Sequence, residues 1–296
     1  MLRISLLITA ALIWGIGFVG TRWTFVDYSA IWSNSLRFLF AGSIALPILW
    51  FRGRYLLKNK EAFICAILLA VGLQLQTIGI EHTTLAKSGF LTVFYALFTP
   101  LLVLFIDKIS FKKTYWVLVA TSMFGIALIC DLDWSQFNKG DAYILLSALF
   151  FALHIVAIDK VSQKHHAILF NLAQCFYIGL VCVAFGLIVE GPVSLKPLYS
   201  FAALSSPSSL WGFIILSVFS SIIAFSLQIY AQQGIAPHIV SLVFLLESIF
   251  ATIFGYLIFN ESLSRMGIIG CVIVLASVSL IPKCTNYEKR VEGHNG

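Results

Sequence analysis

Charged residues are scarce in this sequence of 296 residues. Asp, Glu, Lys and Arg make up 11% of it and hydrophobic residues 60%, whereas soluble domains contain about 25% charged residues. The mean hydropathy is +0.96. Because so few polar side chains could not cover a soluble globule of this size, the composition excludes an ordinary soluble domain and predicts an integral membrane protein.

Motifs for catalysis, metal binding and nucleotide hydrolysis are also missing. The chain contains no HExxH, no GxSxG and no GxxxxGK[ST] stretch, so ATP is not expected to drive it. We therefore expect no metal, no cofactor and no enzymatic activity; an intramembrane enzyme is the least favoured alternative. Six cysteines form no CxxC pair and are expected to be reduced packing residues: Cys65, Cys130, Cys175, Cys182, Cys271 and Cys284.

The net charge of +6 is spread over short loops between apolar runs, so it predicts no nucleic-acid partner. The first run, within MLRISLLITAALIWGIGF, resembles a secretory signal but continues without a polar cleavage region. Since lipid offers no hydrogen bonds to the backbone, each run must be helical. Ten spans are predicted, at 4–23, 30–51, 62–81, 85–106, 115–131, 141–159, 167–189, 210–232, 237–259 and 266–282.

Lys and Arg indicate the orientation of these spans. If the N-terminus is inside, the inner segments hold thirteen basic residues and the outer loops hold four, with Arg22 and Arg37 assigned to spans. Because positive residues favour the cytoplasmic side, both termini are expected in the cytoplasm.

The sequence also contains a weak internal repeat. An offset of 137 residues aligns 11–19 with 148–156 and Gly42 with Gly179; an offset of 152 aligns Leu75-Gln76 with Leu227-Gln228. Five spans per copy bring the second copy in from the opposite side of the membrane. The predicted fold is therefore all-α, with ten transmembrane helices in two inverted five-helix repeats, 1–133 and 140–283, and a short cytoplasmic tail, 284–296. Inverted repeats are typical of alternating-access transporters.

Several segments resemble the EamA-like branch of the drug/metabolite transporter superfamily. They are ALIWGIGFV (11–19), RFLFAG (37–42), LQTIGIEHTTLAKSGFLTVFYALFTPLL (75–102) and LLESIFATIFGYLIFNESLS (245–264). The resemblance implies a multi-pass carrier of metabolites in the cell (inner) membrane, often an exporter of amino acids. Two positions depart from the family pattern: Ser248 replaces a common proline, which is expected to leave the ninth span straighter, and Gly17 replaces a polar residue.

Glu247 is the main candidate for a functional site. It lies near the middle of the ninth span, where a carboxylate costs roughly 3 kcal/mol or more unless it has a partner, a proton or water. The offset of 152 makes Tyr95 its counterpart. Tyr95 belongs to a polar stripe with Ser88, Thr92 and Thr99 on one helical face. We predict that Glu247 binds substrate or a proton; a structural hydrogen bond is the alternative.

Other polar residues recur at equivalent places. His154, the counterpart of Gly17, is the second proton-coupling candidate, or a neutral histidine bonded to a backbone carbonyl. Asn34 and Arg37 match Asn171 and Gln174 at the same spacing. Arg37 is predicted to bind a substrate carboxylate; snorkelling to the interface or bracing of the bundle are its alternatives.

The remaining candidates are Trp14, with Phe18 and Phe151, as an aromatic wall, and Gln228, with Gln232, as a polar lining or an interhelical hydrogen bond. Together these residues predict a secondary transporter that moves a small metabolite, either amino acid-like or cationic and aromatic. Proton coupling is part of this prediction, and export is the direction that the family resemblance implies. Membrane lipids surround the transporter, and a homodimer is left open. A lipid flippase or a non-transporting membrane partner is the alternative.

Overall fold

A computed structural model describes residues 2–83, 85–129, 137–205, 208–260 and 264–284, and the elements formed there are helices. The predicted repeat boundary at 133 and residues 285–296 of the predicted tail lie outside these ranges. The helices are α1 (Leu2–Thr24), α2 (Ala30–Arg52), α3 (Lys60–His82), α4 (Leu85–Thr92), α5 (Tyr95–Ile106), α6 (Lys113–Ile129), α7 (Lys139–Val161), α8 (Ala167–Val189), α9 (Ser209–Ile214), α10 (Phe225–Gln232), α11 (Pro237–Val243), α12 (Leu246–Phe259) and α13 (Arg265–Cys284). A π-helical segment, Ile215–Ala224, joins α9 to α10.

Eight helical stretches are long and apolar enough to cross a membrane. They correspond to the first four predicted spans and to the sixth through ninth. The fifth and tenth predicted spans correspond to two shorter apolar helices, Lys113–Ile129 and Arg265–Leu280. The chain is therefore a helical, multi-pass membrane protein, as its composition predicts.

Local sequence signals fix where several helices begin. Asn138 and Asp141 form a capping box at the start of α7, because the Asn138 side chain accepts from the backbone of Gly140 and Asp141 while Asp141 accepts from the backbone of Asn138. Ser29 caps α2 by accepting from the backbone nitrogen of Trp32.

Three predicted spans are interrupted in their middle. The fourth breaks at Val93-Phe94, between α4 and α5, and the ninth breaks at Phe244-Leu245, between α11 and α12. The separation between these two breaks is one residue shorter than the offset of 152. Ser248 does not keep the ninth span continuous. The expected straightening fails because the turn tightens before Ser248, with Glu247 N donating to Phe244 O at 2.9 Å. The eighth span carries the π-helical segment.

The helices pack across the two halves of the chain. α2 lies against α8, α3 against α7, α6 against α13, and α1 against both the eighth-span helices and α12. Glycine allows the closest of these approaches. A Cβ at Gly179 would lie 2.6 Å from Phe38 O, and a Cβ at Gly42 would lie 3.3 Å from Cys175 O.

Polar contacts define two ends of the bundle. At one, the Asp141 end, Lys87 Nζ lies 3.1 Å from Asp141 Oδ2, joining the start of α4 to the start of α7. At the other, the Gln233 end, Gln233 Nε2 donates to Ser162 O at 2.8 Å and to His165 O at 3.0 Å. These two bonds join the end of α10 to the connection between α7 and α8.

Candidate functional site

A cavity lies in the middle of the bundle, between the two halves of the chain. The empty space inside its lining, the open space at its mouth included, is about 630 Å³. Both halves contribute to its wall, through α1 to α5 and through α7, the π-helical segment, α10 and α12. Six of the nine predicted substrate-binding residues line it: Trp14, Arg37, Tyr95, His154, Gln228 and Glu247.

Glu247 and Tyr95 meet in this cavity. Tyr95 Oη donates to Glu247 Oε2 at 3.4 Å, a long hydrogen bond, and both side chains are buried. Of the predicted polar stripe, Thr92 and Tyr95 line the cavity, and Thr92 Oγ1 accepts from Gln76 Nε2 at 3.1 Å. The carboxylate of Glu247 therefore has one phenol partner and an opening toward the cavity.

Arg37 points into the protein, toward the eighth span. Its Nε donates to Ser221 Oγ at 2.7 Å and its Nη2 donates to Ser220 Oγ at 2.9 Å. The guanidinium also lies 5.1 Å from the ring centroid of Phe38. Since the side chain is buried at the cavity wall, it does not snorkel to the membrane interface.

His154 pairs with a side chain and not with a backbone carbonyl. Its Nε2 lies 2.9 Å from Gln174 Oε1, and its ring lies edge-on to Phe225, with the centroids 6.1 Å apart. Gln174 is fully buried behind His154 and does not reach the cavity. His154 thus faces the cavity with a neutral amide partner.

Two further predicted residues, Asn34 and Asn171, do not line the cavity. Asn34 Nδ2 donates to Gln74 Oε1 at 3.2 Å. Asn171 Nδ2 lies 3.0 Å from Ser221 O, 2.9 Å from Ile222 O and 3.0 Å from Ser226 Oγ. Both asparagines belong to the crossing of α2 and α8, so the structure places them behind the cavity wall.

Sequence reasoning missed part of the wall. Trp14 lies 4.8 Å from both Phe225 and Phe244, between ring centroids, and its Nε1 donates to Ser220 O at 3.2 Å. Phe244 could have been found, because it lies three residues before Glu247. A serine and a phenylalanine within an apolar span give no comparable signal. Ser220 and Phe225 therefore could not have been found from the sequence.

Gln228 lines the cavity, and Gln232 lies one helical turn further toward the Gln233 end. Gln228 Nε2 donates to Gln232 Oε1 at 2.8 Å, and Gln232 Nε2 donates to Ile155 O at 3.0 Å. Gln228 therefore lines the cavity, whereas Gln232 does not line it and makes the interhelical hydrogen bond. In the part of the chain that the structure describes, no three His, Cys, Asp or Glu residues group as metal ligands.

Comparisons with known proteins agree with this architecture. The model of the EamA-like transporter family matches residues 1–130 and 138–282. A transporter of unassigned cargo from Archaeoglobus fulgidus is 25% identical over 92% of this chain and 82% of its own length. The S-adenosylmethionine uptake transporter of Rickettsia prowazekii is 24% identical over 83% of this chain and 80% of its own length.

Fold similarity extends to an experimental structure. A crystal structure covers 94% of this chain and 95% of its own chain with a TM-score of 0.75 at 14% identity, which shows a shared fold. Because the family model covers both halves of the sequence and the relatives are transporters, the protein is a non-enzymatic membrane transporter. The chain belongs to the EamA-like transporter family.

Proposed function

We propose that this protein is a secondary transporter that moves a small metabolite across the membrane by alternating access. The observation that carries the proposal is the central cavity, in which Glu247 of the second half meets its repeat counterpart Tyr95 of the first half. A buried carboxylate at the junction of two halves is the arrangement expected of a midplane substrate or ion site.

The proposal includes ten transmembrane helices in two inverted repeats. Tyr95 and Glu247 are 152 residues apart, which is the predicted offset, so their hydrogen bond joins a residue to its own counterpart. Gly179 approaches Phe38 O while Gly42 approaches Cys175 O, and an offset of 137 relates these two contacts. Reciprocal contacts of this kind support a two-fold relation between the halves. The two ranges matched by the family model support it as well.

Topology follows from the distribution of basic residues. The Gln233 end is the cytoplasmic side, with both termini there, in the cell (inner) membrane. In this orientation Gln228 and Gln232 lie toward the cytoplasmic side of the cavity, where their hydrogen bonds would help to close it. Export remains the proposed direction, although the names of the Rickettsia relatives indicate uptake.

The proposed cargo is amino acid-like, or cationic and aromatic. A carboxylate at Glu247 suits a cation, and Trp14 with Phe225 and Phe244 offers ring faces beside it. S-adenosylmethionine, the substrate named for the Rickettsia relatives, combines an amino acid, a cationic centre and an aromatic ring. It is therefore the first compound to test.

Proton coupling through Glu247 is the second part of the proposal. A carboxylate that lines the cavity can exchange a proton for a cationic substrate when each side of the membrane becomes accessible in turn. His154 is the second candidate, because it also lines the cavity.

Transport in proteoliposomes that contain a pH-sensitive dye tests both parts. The panel consists of S-adenosylmethionine, amino acids, nucleosides and cationic drugs, applied with the solute gradient in each direction. Wild type is compared with Glu247→Gln and with Ser248→Ala, a neighbouring control whose hydroxyl has no partner among the described residues. We expect both solute movement and proton flux in wild type and in Ser248→Ala. Both should be lost in Glu247→Gln.

The remaining outcomes separate the alternatives. Solute movement without proton flux would leave a facilitator or an exchanger and remove the coupling role. If no member of the panel moves while fluorescent phospholipids cross the bilayer, a flippase replaces the metabolite carrier.

A further inference from the structure

The π-helical segment of the eighth span is held open by side chains from other helices. A π-helix has wider turns than an α-helix and mostly occurs as short bulges at functional sites. Here it extends over ten residues, Ile215–Ala224. Trp14 donates to Ser220 O, and Asn171 donates to Ser221 O and Ile222 O, so three consecutive carbonyl groups have partners outside their own helix.

This arrangement aims two neighbouring hydroxyl groups at one cation. Ser220 Oγ and Ser221 Oγ both accept from Arg37, at 2.9 and 2.7 Å. Successive residues of a regular α-helix point about 100° apart and do not normally serve one ligand together. The fixed, wide turn at Ser220 and Ser221 brings their hydroxyl groups onto the same guanidinium.

Arg37 has neutral partners and still faces the cavity. Its interactions in the described part of the chain are with the two serine hydroxyls and the ring of Phe38, and no acid lies within ion-pair distance there. A guanidinium carries five donors, and the two bonds to serine leave the rest of its edge available. A buried cation without a counter-ion is strongly destabilising, so a bound anion would stabilise this site.

We propose that Arg37, Ser220 and Ser221 form an anion subsite that takes the carboxylate of the transported metabolite. Asn171 is a positioning residue, which acts by holding the carbonyl groups of the π-helical segment. The subsite rests on the proposed transport function and narrows its cargo: the metabolite carries a carboxylate for Arg37 and a cationic group for Glu247. Trp14 lies between these poles, since it bonds to Ser220 O and packs edge-on against Phe244, three residues before Glu247.

Matched pairs of probes isolate the contribution of the carboxylate. S-adenosylmethionine is compared with decarboxylated S-adenosylmethionine, and phenylalanine with phenethylamine, which lacks only the carboxylate. Binding is measured from the shift of thermal unfolding on the purified full chain in lipid nanodiscs at constant ionic strength. Chloride and sulfate, in place of gluconate, form a further arm that detects an inorganic anion at the same site.

The expected result is a preference for the carboxylate-bearing member of each pair. Hydrogen bonds to charged groups predict a preference of roughly tenfold or more in wild type, falling to about onefold in Arg37→Gln and in the Ser220→Ala/Ser221→Ala variant. Asn171→Leu should lower the preference without weakening phenethylamine binding, which a general loss of stability would not do. Ser217→Ala is the matched control, because Ser217 belongs to the same segment and its hydroxyl has no partner in the described residues.

Two outcomes overturn the subsite. One is equal affinity within each pair, or no binding of any carboxylate-bearing probe, in wild type. The other is an Arg37-dependent stabilisation by chloride or sulfate alone, which would assign the counter-ion to an inorganic anion and not to the cargo.

The subsite and the transport function can fail separately. If proteoliposomes move the carboxylate-bearing probes and Arg37→Gln leaves their rate relative to the matched amines unchanged, the transport function stands and the subsite is wrong. If carboxylates bind in an Arg37-dependent way but no solute moves, the subsite stands and transport is wrong.

Discussion

The two halves of the cavity wall place different chemistry at equivalent positions. In the second half, His154 pairs with Gln174, which is a neutral amide, at 2.9 Å. In the first half, the same positions hold Arg37 and Gly17, and the π-helical segment fills the space left by the glycine: a Cβ at Gly17 would lie 3.4 Å from Ser220 Oγ. At these positions the second half therefore pairs a histidine with an amide, whereas the first half presents a cation to the cavity.

The two ends of the bundle also differ in the polar contacts at equivalent positions. At the Gln233 end, Gln228 bonds to Gln232 within α10, and Gln233 ties the end of α10 to the connection between α7 and α8. Their counterparts at the offset of 152 are Gln76, which is partly exposed and bonds to Thr92, and Glu81, which is exposed. The glutamine hydrogen bonds at the Gln233 end are therefore not repeated at these counterparts, and the Asp141 end has a different tie, between Lys87 and Asp141. Under the proposed alternating access, the two sets of contacts would open in turn during transport.

The largest effect is expected from removing the acid at the centre of this comparison. Glu247→Gln should lower the initial rate of transport of the best solute in the panel by roughly 10- to 100-fold, because a charged hydrogen-bond partner is lost. Tyr95→Phe removes one neutral donor and should cost roughly 2- to 10-fold. Equal losses in both variants would show that the pair acts as a unit and that the carboxylate has no separate role.

Gly179 and Gly42 test the symmetry of the α2–α8 crossing. Gly179→Ala should destabilise the fold by about 1–3 kcal/mol, because its Cβ would meet backbone at 2.6 Å, which only movement of a helix can relieve. Gly42→Ala, at 3.3 Å, should cost less. Unfolding by denaturant in detergent measures both free energies.

Gly89 supplies the control for the glycine pair. A Cβ there would meet nothing within 4 Å, so Gly89→Ala should be neutral or stabilising through helix propensity. If Gly42→Ala proved as costly as Gly179→Ala, the two contacts would be more alike than their distances indicate.

The polar tie at the Gln233 end can be removed without touching the cavity. Gln233→Ala deletes two donated hydrogen bonds of roughly 0.5–1.5 kcal/mol each. We expect a cysteine introduced at Leu73, which lines the cavity, in a background without other cysteines, to react with an impermeant maleimide added at that end about 3- to 10-fold faster. Glu81→Ala, the matched variant at the other end, should leave this rate unchanged. An equal increase in both variants would contradict the closed state assigned to the Gln233 end.

The sequence allowed much of the fold to be predicted, because lipid permits few alternatives to helices. The offset of 152 paired Tyr95 with Glu247, and the two side chains do meet, as the proposed two-fold relation between the halves would require. The same reasoning misplaced Asn171 and Gln174. An offset relates positions but does not tell which helical face lines the cavity, and the crossing of α2 and α8 buries both residues behind the wall.

The π-helical segment could not have been predicted. Its residues, ILSVFSSIIA, have the composition of an ordinary apolar span. The widened turn depends on partners distant in sequence, Trp14 and Asn171, which hold its carbonyl groups. Without that turn, Ser220 and Ser221 would be expected to act as separate residues, so their shared contact with Arg37 emerges only in the folded chain.

The smallest effect is expected at His154, on the neutral side of the comparison. His154→Gln retains a side chain that can bond to Gln174 but cannot titrate. Because His154 already has a neutral partner and packs on Phe225, we expect transport to change less than about twofold, as for loss of a weak neutral contact. Its dependence on pH should match wild type, whereas Glu247→Gln should flatten it. If His154→Gln flattened the pH profile while Glu247 was intact, the proton-coupling role would belong to His154 and not to Glu247.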